Sequence, residues 1–439
     1  MTIQTGAASV IITPPLGTQI QGAGIADQPA KVVRDQLEAN AVYFRSDDQT
    51  VLLISCDVAV LTTDFVIATR VAIGDAIGLN DSDVIISATH THSGPSVMKT
   101  DFDKPVEDGF LKTLCKQLIV LAKQAKQAAV PSKIGWGLGN AAVGYNRRCC
   151  WSDGSHSMHN PALRTDFTGF EGPGDPDHVA IFACDADGKL LAVIHQNTAH
   201  PTTFFSEKCF SSDFPGEARS HIRDSLGEIP VLFFNGALGD VCRRDVMTKG
   251  QVETVEQILK RCGHLLAGET LRLFHESPLH DKVAFGHVYV DMLADVRLPA
   301  PDRLTLARET ISQMQQGKEG GGMNRIFAWG ITSLQDEFGE NPTDTLRLHV
   351  LRIGDVALVT QPTELYCQFG LDIKRRSPAP ITAVCSVADG YAGYCPTLYS
   401  IIGGGYSGEA IQWCRFTPET GYKLVDKVSR LLRQLWPNE

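Results

Sequence analysis

The sequence predicts an α/β fold in which a mixed β-sheet core is flanked by helices. Two observations predict this fold class. Apolar, β-rich runs alternate with stretches of helical spacing, and several pairs of predicted strands are joined by short turns that contain glycine. The chain has 439 residues, which is enough to bury a sizeable core, and we expect one domain over residues 1–439.

The predicted strands form a β-α-β unit followed by hairpins. TVLLISCDVAVL (50–61) predicts a buried strand, DFVIATRVAIGDAIGL (64–79) a helix and DVIISAT (83–89) a second strand. HVAIFACDADGKLLAVIHQ predicts two strands about an Asp-Gly turn, and IPVLFFNGAL predicts a strand that enters a glycine-containing loop. LRLHVLRIGDVALVTQP predicts another strand pair about Gly354 and Asp355.

The rest of the chain adds helices and two glycine-rich segments. GKEGGG (317–322) predicts a surface loop. GYAGYCPTLYSIIGGGYSG (390–408) has clustered glycines and tyrosines without helical or strand periodicity, so we expect a loop whose backbone closely approaches another group. Helical spacing is found over 107–128, 215–226, 250–275, 302–316, 363–376 and 419–435.

The composition excludes several classes of function. Lys and Arg number 40 against 50 Asp and Glu, so the net charge of −10 provides no basic surface for nucleic acid or anionic lipid. No apolar run reaches membrane-spanning length, and the first thirty residues lack the features of a signal peptide. We therefore expect a soluble, cytoplasmic protein that acts on a small molecule.

The twelve cysteines include no C-x-x-C motif, which predicts buried, reduced thiols. The oligomeric state is not constrained.

The segment SATHTHSGP carries the first candidate site residues. His90 and His92 follow a predicted strand, and residues i and i+2 of an extended segment project to the same face. Both imidazoles can therefore point into one cleft at the carboxyl end of a strand, where ligands bind in α/β folds. Neutral imidazole binds zinc and titrates near neutral pH, so the pair suits metal binding or proton transfer. Two histidines hydrogen-bonded in a turn explain the pattern equally well.

Two later segments supply further candidates. In NTAHPTTF, His200 lies at another strand end, before a proline that keeps the backbone extended. In QPTEL, Glu364 could join the two histidines in a catalytic zinc site. The residues alone favour a simpler interpretation, in which Glu364 lies in the first turn of a helix and is stabilised by the helix dipole. His178, His195 and His221 have ordinary explanations in the core or on a helix.

The order of these motifs resembles that of a known family. ATHTHSGP, a strand ending in TAHPT, then NGALGDV, TEL and GYAGY follow one another as in the catalytic domain of the neutral/alkaline non-lysosomal ceramidases. The resemblance extends over most of the chain and implies a neutral-ceramidase-like catalytic domain with a bound zinc ion. It implies the zinc ligands His90, His200, Glu364 and Tyr394. From the residues alone, Tyr394 also fits a hydrogen-bonding or packing role, and Tyr391 competes for the same position.

The resemblance also implies catalytic residues that do not bind the metal. His92 corresponds to an active-site histidine able to transfer a proton or to stabilise negative charge on oxygen. Arg147 would orient a substrate oxygen through its guanidinium, whereas we expect Arg148 to be a surface charge. Tyr406 would donate a hydrogen bond to the scissile carbonyl.

The sequence departs from the family pattern in ways that bear on the substrate. The family's G-D-V-S-P-N hexapeptide is GDVCRR here, over residues 239–244. Cys242 could be a nucleophile activated by the neighbouring arginines, but a buried thiol is the preferred interpretation. We expect neither the C-terminal β-domain of the ceramidases nor a secretion signal. A soluble or amphiphilic small molecule therefore suits the chain better than ceramide extracted from a bilayer.

Together these features predict a zinc-dependent amidohydrolase that cleaves a C–N bond with a water molecule activated by Zn²⁺. His92, or Glu364 through the water, would protonate the leaving group. A zinc-dependent esterase, lactonase or lyase acting on a carbonyl compound is the nearest alternative. A non-catalytic binding protein on the same scaffold is the alternative from a different class.

Overall fold

The computed structural model describes residues 2–21, 28–99, 105–158, 164–245, 253–317 and 323–437. The loop predicted at 317–322 lies outside these residues except for Gly317. The strands, in chain order, are β1 (Ile3–Ile11), β2 (Val32–Val33), β3 (Glu38–Arg45), β4 (Thr50–Cys56), β5 (Val84–Ala88), β6 (Val130–Asn140), β7 (Tyr145–Asn146), β8 (Arg148–Trp151), β9 (His156–Met158), β10 (Phe167–Phe170), β11 (Asp177–Asp185), β12 (Leu190–Asn197), β13 (Cys209–Phe210), β14 (Val231–Asn235), β15 (Val241–Cys242), β16 (Phe285–Asp295), β17 (Thr343–Ile353), β18 (Val356–Thr360), β19 (Glu364–Leu365), β20 (Ile381–Cys385) and β21 (Tyr394–Cys395). The α-helices are α1 (Thr63–Ile77), α2 (Asp108–Gln127), α3 (Asp213–Leu226), α4 (Val255–Glu276), α5 (Pro301–Gln315), α6 (Arg325–Phe338), α7 (Cys367–Arg376), α8 (Leu398–Gly403) and α9 (Thr420–Leu435).

Two mixed β-sheets form the centre of the fold. The larger sheet has eight strands in the order β14-β12-β11-β6-β1-β3-β4-β5, and the smaller has four in the order β16-β17-β18-β20. Parallel pairs occur between β12 and β14 and between β4 and β5 of the large sheet, and between β18 and β20 of the small one. The other neighbours within these two sheets are antiparallel. The predicted mixed-sheet α/β class is confirmed.

The sheets pack face to face, and the helices cover their outer faces. Strand β4 illustrates the arrangement, because its side chains alternate between two apolar clusters. Leu52 and Ile54 pack against helices α1 and α2, whereas Val51 and Leu53 pack in the cluster that also contains Leu351 of the small sheet. A strand buried on both faces needs apolar residues at consecutive positions, which explains the continuous run VLLI. Helices α5, α6, α7 and α9 cover the small sheet.

Most predicted elements are present, and the differences have local causes. The strand predicted to reach residue 61 ends at Cys56, because the next residue, Asp57, turns away and accepts hydrogen bonds from the Glu38 backbone and from Arg219. The helix predicted from residue 363 begins at Cys367, whose backbone N–H donates to the Asp240 carboxylate at 2.8 Å. Helices α6 and α8 were not predicted.

Two further expectations concern the thiols and the membrane. None of the twelve cysteines, which all lie within the described residues, forms a disulfide, and all but Cys115 are buried, as the sequence predicts. Within the described residues, the helices include none that has the length and apolar character needed to cross a bilayer.

Candidate active site

One cavity of about 700 Å³ is lined by all the predicted metal ligands and catalytic residues. It opens beyond the carboxyl ends of β5 and β12, which contribute the segments containing the histidines. This is the usual position of a ligand site in an α/β sheet. The predicted residues that line it are His90, His92, Arg147, His200, Glu364, Tyr391, Tyr394 and Tyr406.

His90 lies in a left-handed turn just beyond β5. Its φ of 72° is uncommon for a residue other than glycine and marks local strain. The sequence argument that His90 and His92 project from an extended segment is therefore wrong, because the strand ends at Ala88 and the backbone turns. The two rings nevertheless converge, with 3.3 Å between their Nε2 atoms. The His90 Nδ1 lies 2.6 Å from the carbonyl oxygen of Ala59.

His200 is held in the same manner by a different loop. Its Nδ1 lies 2.9 Å from the carbonyl oxygen of Val241, and its backbone bridges to Cys242. A carbonyl oxygen only accepts hydrogen bonds, so each of these Nδ1 atoms carries the proton. The Nε2 atoms of His90 and His200 lie on the opposite side of each ring and face the cavity. Cys242 itself is buried outside the cavity lining, as expected of a structural thiol.

Glu364 supplies the third group at this point. Its Oε2 lies 2.9 Å from the Nε2 of His200 and 3.6 Å from that of His90. The side chain is buried, and burial alone would raise the pKa of the carboxyl, but His90 and His200 outweigh this effect and hold the pKa well below its usual range. The alternative interpretation of Glu364 as a residue in the first turn of a helix is wrong, because Glu364 pairs with Tyr394 in the short β19–β21 ladder.

The donor set of this cluster fits a metal cation. Burial, followed by the charge of Arg147, lowers the pKa of His200 to about 3, so this imidazole is neutral near pH 7. The Nε2 of His200 faces the Glu364 carboxylate and accepts a hydrogen bond from the Arg147 guanidinium, and the Nε2 of His90 lies 3.6 Å from the same carboxylate oxygen. A nitrogen lone pair and a carboxylate oxygen repel one another unless a cation lies among them, and two histidines with one carboxylate form a common catalytic zinc set.

His92 offers a geometric alternative to Glu364 as a ligand. The ring nitrogens of His90, His92 and His200 all lie within 4.8 Å of one another. The His92 Nδ1, however, is buried and has no hydrogen-bond partner among the described residues. Its ring lies beside Phe205, with 5.6 Å between centroids, and burial first, then His90 and His200, lower the pKa of His92 well below its usual value.

Arg147 joins the metal-binding candidates to the tyrosines. It is almost completely buried, and its Nη2 donates to the Nε2 of His200 at 2.8 Å, to the Gly239 carbonyl at 2.9 Å and to the Tyr394 hydroxyl at 3.1 Å. Tyr391 donates to the other carboxylate oxygen, Oε1, of Glu364 at 2.7 Å. Both competing tyrosines therefore contact the cluster, Tyr391 at Glu364 and Tyr394 at Arg147.

Glycines allow these segments to approach one another. A Cβ atom on Gly239 would lie 2.4 Å from the Glu364 carbonyl oxygen. Gly393 has a φ of 75°, and a Cβ atom there would lie 2.5 Å from the Trp413 carbonyl oxygen. Both distances are too short for any side chain, which confirms the expectation that the GYAGY backbone makes a close approach.

The prediction that Arg148 is a surface charge is wrong. Its side chain is fully buried, and its Nε donates to Glu171 at 2.6 Å. Its Nη2 donates to the carbonyls of Ser400 and Gly404, and Nη1 donates to Ser407. The Arg148 side chain therefore holds the segment that leads to Tyr406 in place. No signal in the sequence distinguishes Arg148 from the exposed arginines of the chain.

Sequence reasoning also missed the apolar wall of the cavity. Ile326 and Trp329 come from α6, which was not predicted, and Phe205 and Trp413 come from loops. The helical spacing of apolar residues in RIFAWGITSL was the available signal. Tyr406 lies against this wall, with its ring 5.7 Å from Trp413 and 5.8 Å from Tyr394.

A second cluster of potential ligands lies outside the cavity, between α3 and α4. Glu217, His221 and His264 bring one ligand atom each within 4.8 Å of one another. All three side chains are at least partly exposed, so this cluster is a second candidate that a measurement of metal content has to separate from the cavity.

Comparison with known proteins identifies the fold. No protein-family model matches the chain, and no curated protein sequence matches it. Neutral ceramidase from Pseudomonas aeruginosa has a crystal structure similar to this one, with a TM-score of 0.75 and 15% sequence identity, covering 100% of this chain and 75% of that chain. A structure of a ceramidase complexed with C2 matches with the same TM-score and identity and 76% of its chain covered. The chain therefore has a neutral ceramidase-like fold, as its motifs predict.

Proposed function

We propose that the protein is a zinc-dependent hydrolase that cleaves an amide bond of a small molecule bound in this cavity. One observation carries the proposal. Two buried imidazoles are each fixed through Nδ1 by a backbone carbonyl, and their Nε2 atoms converge on the buried carboxylate of Glu364. Histidines that bind a metal are typically oriented by such a hydrogen bond from the other ring nitrogen.

In this proposal His90, His200 and Glu364 hold the metal. His92 is less suited to be a ligand, because nothing among the described residues fixes its Nδ1. A zinc ion in such a site acidifies water and polarises a carbonyl group. This donor set leaves at least one position for water or substrate.

Tyr394 is the better candidate for a fourth ligand. It shares the Arg147 guanidinium with His200, next to the imidazole nitrogen that faces Glu364. Tyr391 is bonded to the carboxylate oxygen on the other side and is suited to orient Glu364.

The remaining residues would handle the charges and protons of the reaction. His92 is neutral, lines the cavity and lies beside His90, so its ring can carry a proton to the leaving nitrogen. Tyr406 faces the cavity and can donate a hydrogen bond to the carbonyl oxygen of the substrate. Arg147 holds His200 and Tyr394 in position and can orient a substrate oxygen. Because both sheets share one apolar core, we also propose that residues 1–439 act as a single catalytic domain.

Metal content and turnover test this function together. The experiment uses protein with His221→Ala, because this substitution removes the surface cluster as a competing site. The protein is dialysed and analysed for zinc. It is then incubated with a panel of amides and esters in ¹⁸O-labelled water. We expect one zinc per chain and one ¹⁸O atom in the carboxylate product. His200→Ala should lose both the zinc and the turnover.

Other results would point to the alternatives. An unsaturated product without ¹⁸O would indicate a lyase. Ester cleavage without amide cleavage would indicate an esterase or lactonase. Ligand binding without any turnover, in protein that holds zinc, would favour a binding protein.

A further inference from the structure

Arg243 brings a second, independent chemistry to the cavity. It follows β15 directly and lines the same cavity as the histidines. Its Nη1 donates to the Thr202 hydroxyl at 2.6 Å, and Thr202 is two residues beyond His200. The backbone of the preceding residue, Cys242, bridges to His200. The guanidinium is therefore held close to the proposed metal ligands by both the backbone and a side chain.

The positive charge of Arg243 has no counter-ion within the described part of the chain. No carboxylate there lies within ion-pairing distance of its guanidinium, and its Nε is buried without a hydrogen-bond partner. Burial lowers the pKa of Arg243, and Asp213 offsets this effect only in part. The Asp213 carboxylate is itself engaged by the Thr203 backbone and hydroxyl and by the backbone of Phe214.

Arg148 and Arg219 are each paired with a carboxylate, whereas the partly buried Arg243 has no such partner within the described residues. Arg148 contacts Glu171 at 2.6 Å, and Arg219 contacts Asp57 at 2.7 Å. A desolvated guanidinium is costly unless an anion faces it, and its fixed fork of donors matches the two oxygens of a carboxylate. Arg243 lines the cavity, where the carboxylate of a bound ligand can provide those two oxygens.

We propose that Arg243 forms an anion subsite and that the substrate is an amide with a carboxylate close to the scissile bond, as in an N-acyl amino acid. The choice of substrate rests on the proposed amide hydrolysis, whereas the anion subsite itself does not. The apolar acyl part would lie against the wall formed by Ile326, Trp329 and Trp413. The exposed Lys99 at the rim adds a second positive charge, and the exposed Glu207 opposes it there, so the selectivity rests on Arg243.

A matched pair of ligands tests the subsite. N-octanoylglycine and N-octanoylethanolamine share the acyl chain and the amide bond, but only the first carries a carboxylate. Binding is measured by calorimetry on zinc-loaded protein with His92→Gln, which slows turnover, with and without Arg243→Gln. Turnover of both compounds is measured in wild-type protein, Arg243→Gln and Arg243→Lys. Arg244→Gln is the control, because Arg244 is exposed and does not line the cavity.

The proposal predicts a change in selectivity rather than a general loss. The acylglycine should bind at least about tenfold more tightly than the ethanolamide, because a buried charged hydrogen bond corresponds to roughly a tenfold to hundredfold difference. Arg243→Gln should reduce this ratio to nearly one, and Arg243→Lys should retain part of it. The control Arg244→Gln should leave the ratio and the turnover unchanged.

The two levels of the proposal fail in different ways. If Arg243→Gln weakens both ligands equally, or if the wild-type protein does not distinguish them, the anion subsite is refuted. If the selectivity in binding is present but neither compound is hydrolysed, the subsite stands and the proposed hydrolysis of such amides is wrong.

Discussion

Glu364 and Tyr394 are direct register partners in the parallel ladder between β19 and β21. The pairing connects QPTEL to GYAGY, and the backbone N–H of Glu364 also donates to the Gly393 carbonyl at 2.8 Å. A ladder of two residues thus fixes the carboxylate and a phenol beside the same histidines. This relationship links the two motifs structurally, although Tyr394 comes thirty positions after Glu364 in the sequence.

The two tyrosines should differ in their effect on metal affinity. Tyr394→Phe should weaken zinc binding about tenfold more than Tyr391→Phe, if Tyr394 is a ligand and Tyr391 only orients Glu364. Competition with a chromophoric chelator measures both affinities under the same conditions. A larger loss in Tyr391→Phe would exchange the two roles.

His92→Gln should keep the zinc and lose turnover. We expect kcat to fall by about a hundredfold to ten-thousandfold, the usual contribution of a general acid or base. His90→Ala, its partner in the pair, should instead lose the metal. Zinc analysis and steady-state kinetics on the same preparations separate the two effects, and loss of zinc in His92→Gln would place His92 among the ligands.

The sequence predicts the site well where a motif lies on a strand end and poorly where tertiary contacts decide. His90 and His200 follow predicted strands, and the structure brings them together as expected of the carboxyl edge of a sheet. The positive φ of His90 could not be predicted, because it depends on the contact of this segment with the Val58 and Ala59 carbonyls.

Glu364 and Arg148 illustrate what periodicity cannot reveal. The Pro-Thr-Glu sequence is typical of a helix start, but pairing with β21 and the cap from Asp240 move the helix to Cys367. Arg148 is indistinguishable by composition from an exposed arginine, and only the fold supplies its buried partner.

Removing the Arg148 side chain should destabilise the protein strongly. Arg148→Met leaves the buried Glu171 without its arginine and with His156 as its remaining partner at 2.6 Å, and breaking a buried ion pair reduces the free energy of unfolding by about 3–5 kcal/mol. Urea unfolding measures the change. Arg430→Met, which removes an exposed ion pair with Asp426 on α9, is the matched control and should change stability little. Similar values for the two variants would contradict the role of Arg148.

His178 should make the stability depend on pH. It is fully buried, its Nε2 contacts the Thr270 hydroxyl at 2.8 Å, and burial lowers its pKa from 6.5 to about 4. Between these values the unfolded chain binds a proton that the folded chain does not, so stability falls as the pH falls. From pH 7 to pH 5 its contribution is a loss of about 2 kcal/mol in the free energy of unfolding.

His178→Gln tests this contribution. The variant should show a smaller loss of unfolding free energy between pH 7 and pH 5 than the wild-type protein, whatever its absolute stability. Equal pH dependence in the two proteins would show that His178 titrates normally in the folded state.

The most direct test of the metal site is anomalous diffraction at the zinc absorption edge from crystals grown with stoichiometric zinc. The account predicts one peak in the cavity, bonded to the Nε2 atoms of His90 and His200 and to Glu364. A cavity without a peak, in crystals that show zinc only at Glu217, His221 and His264, would contradict it. A cavity peak bonded to His92 in place of Glu364 would contradict the proposed division of roles.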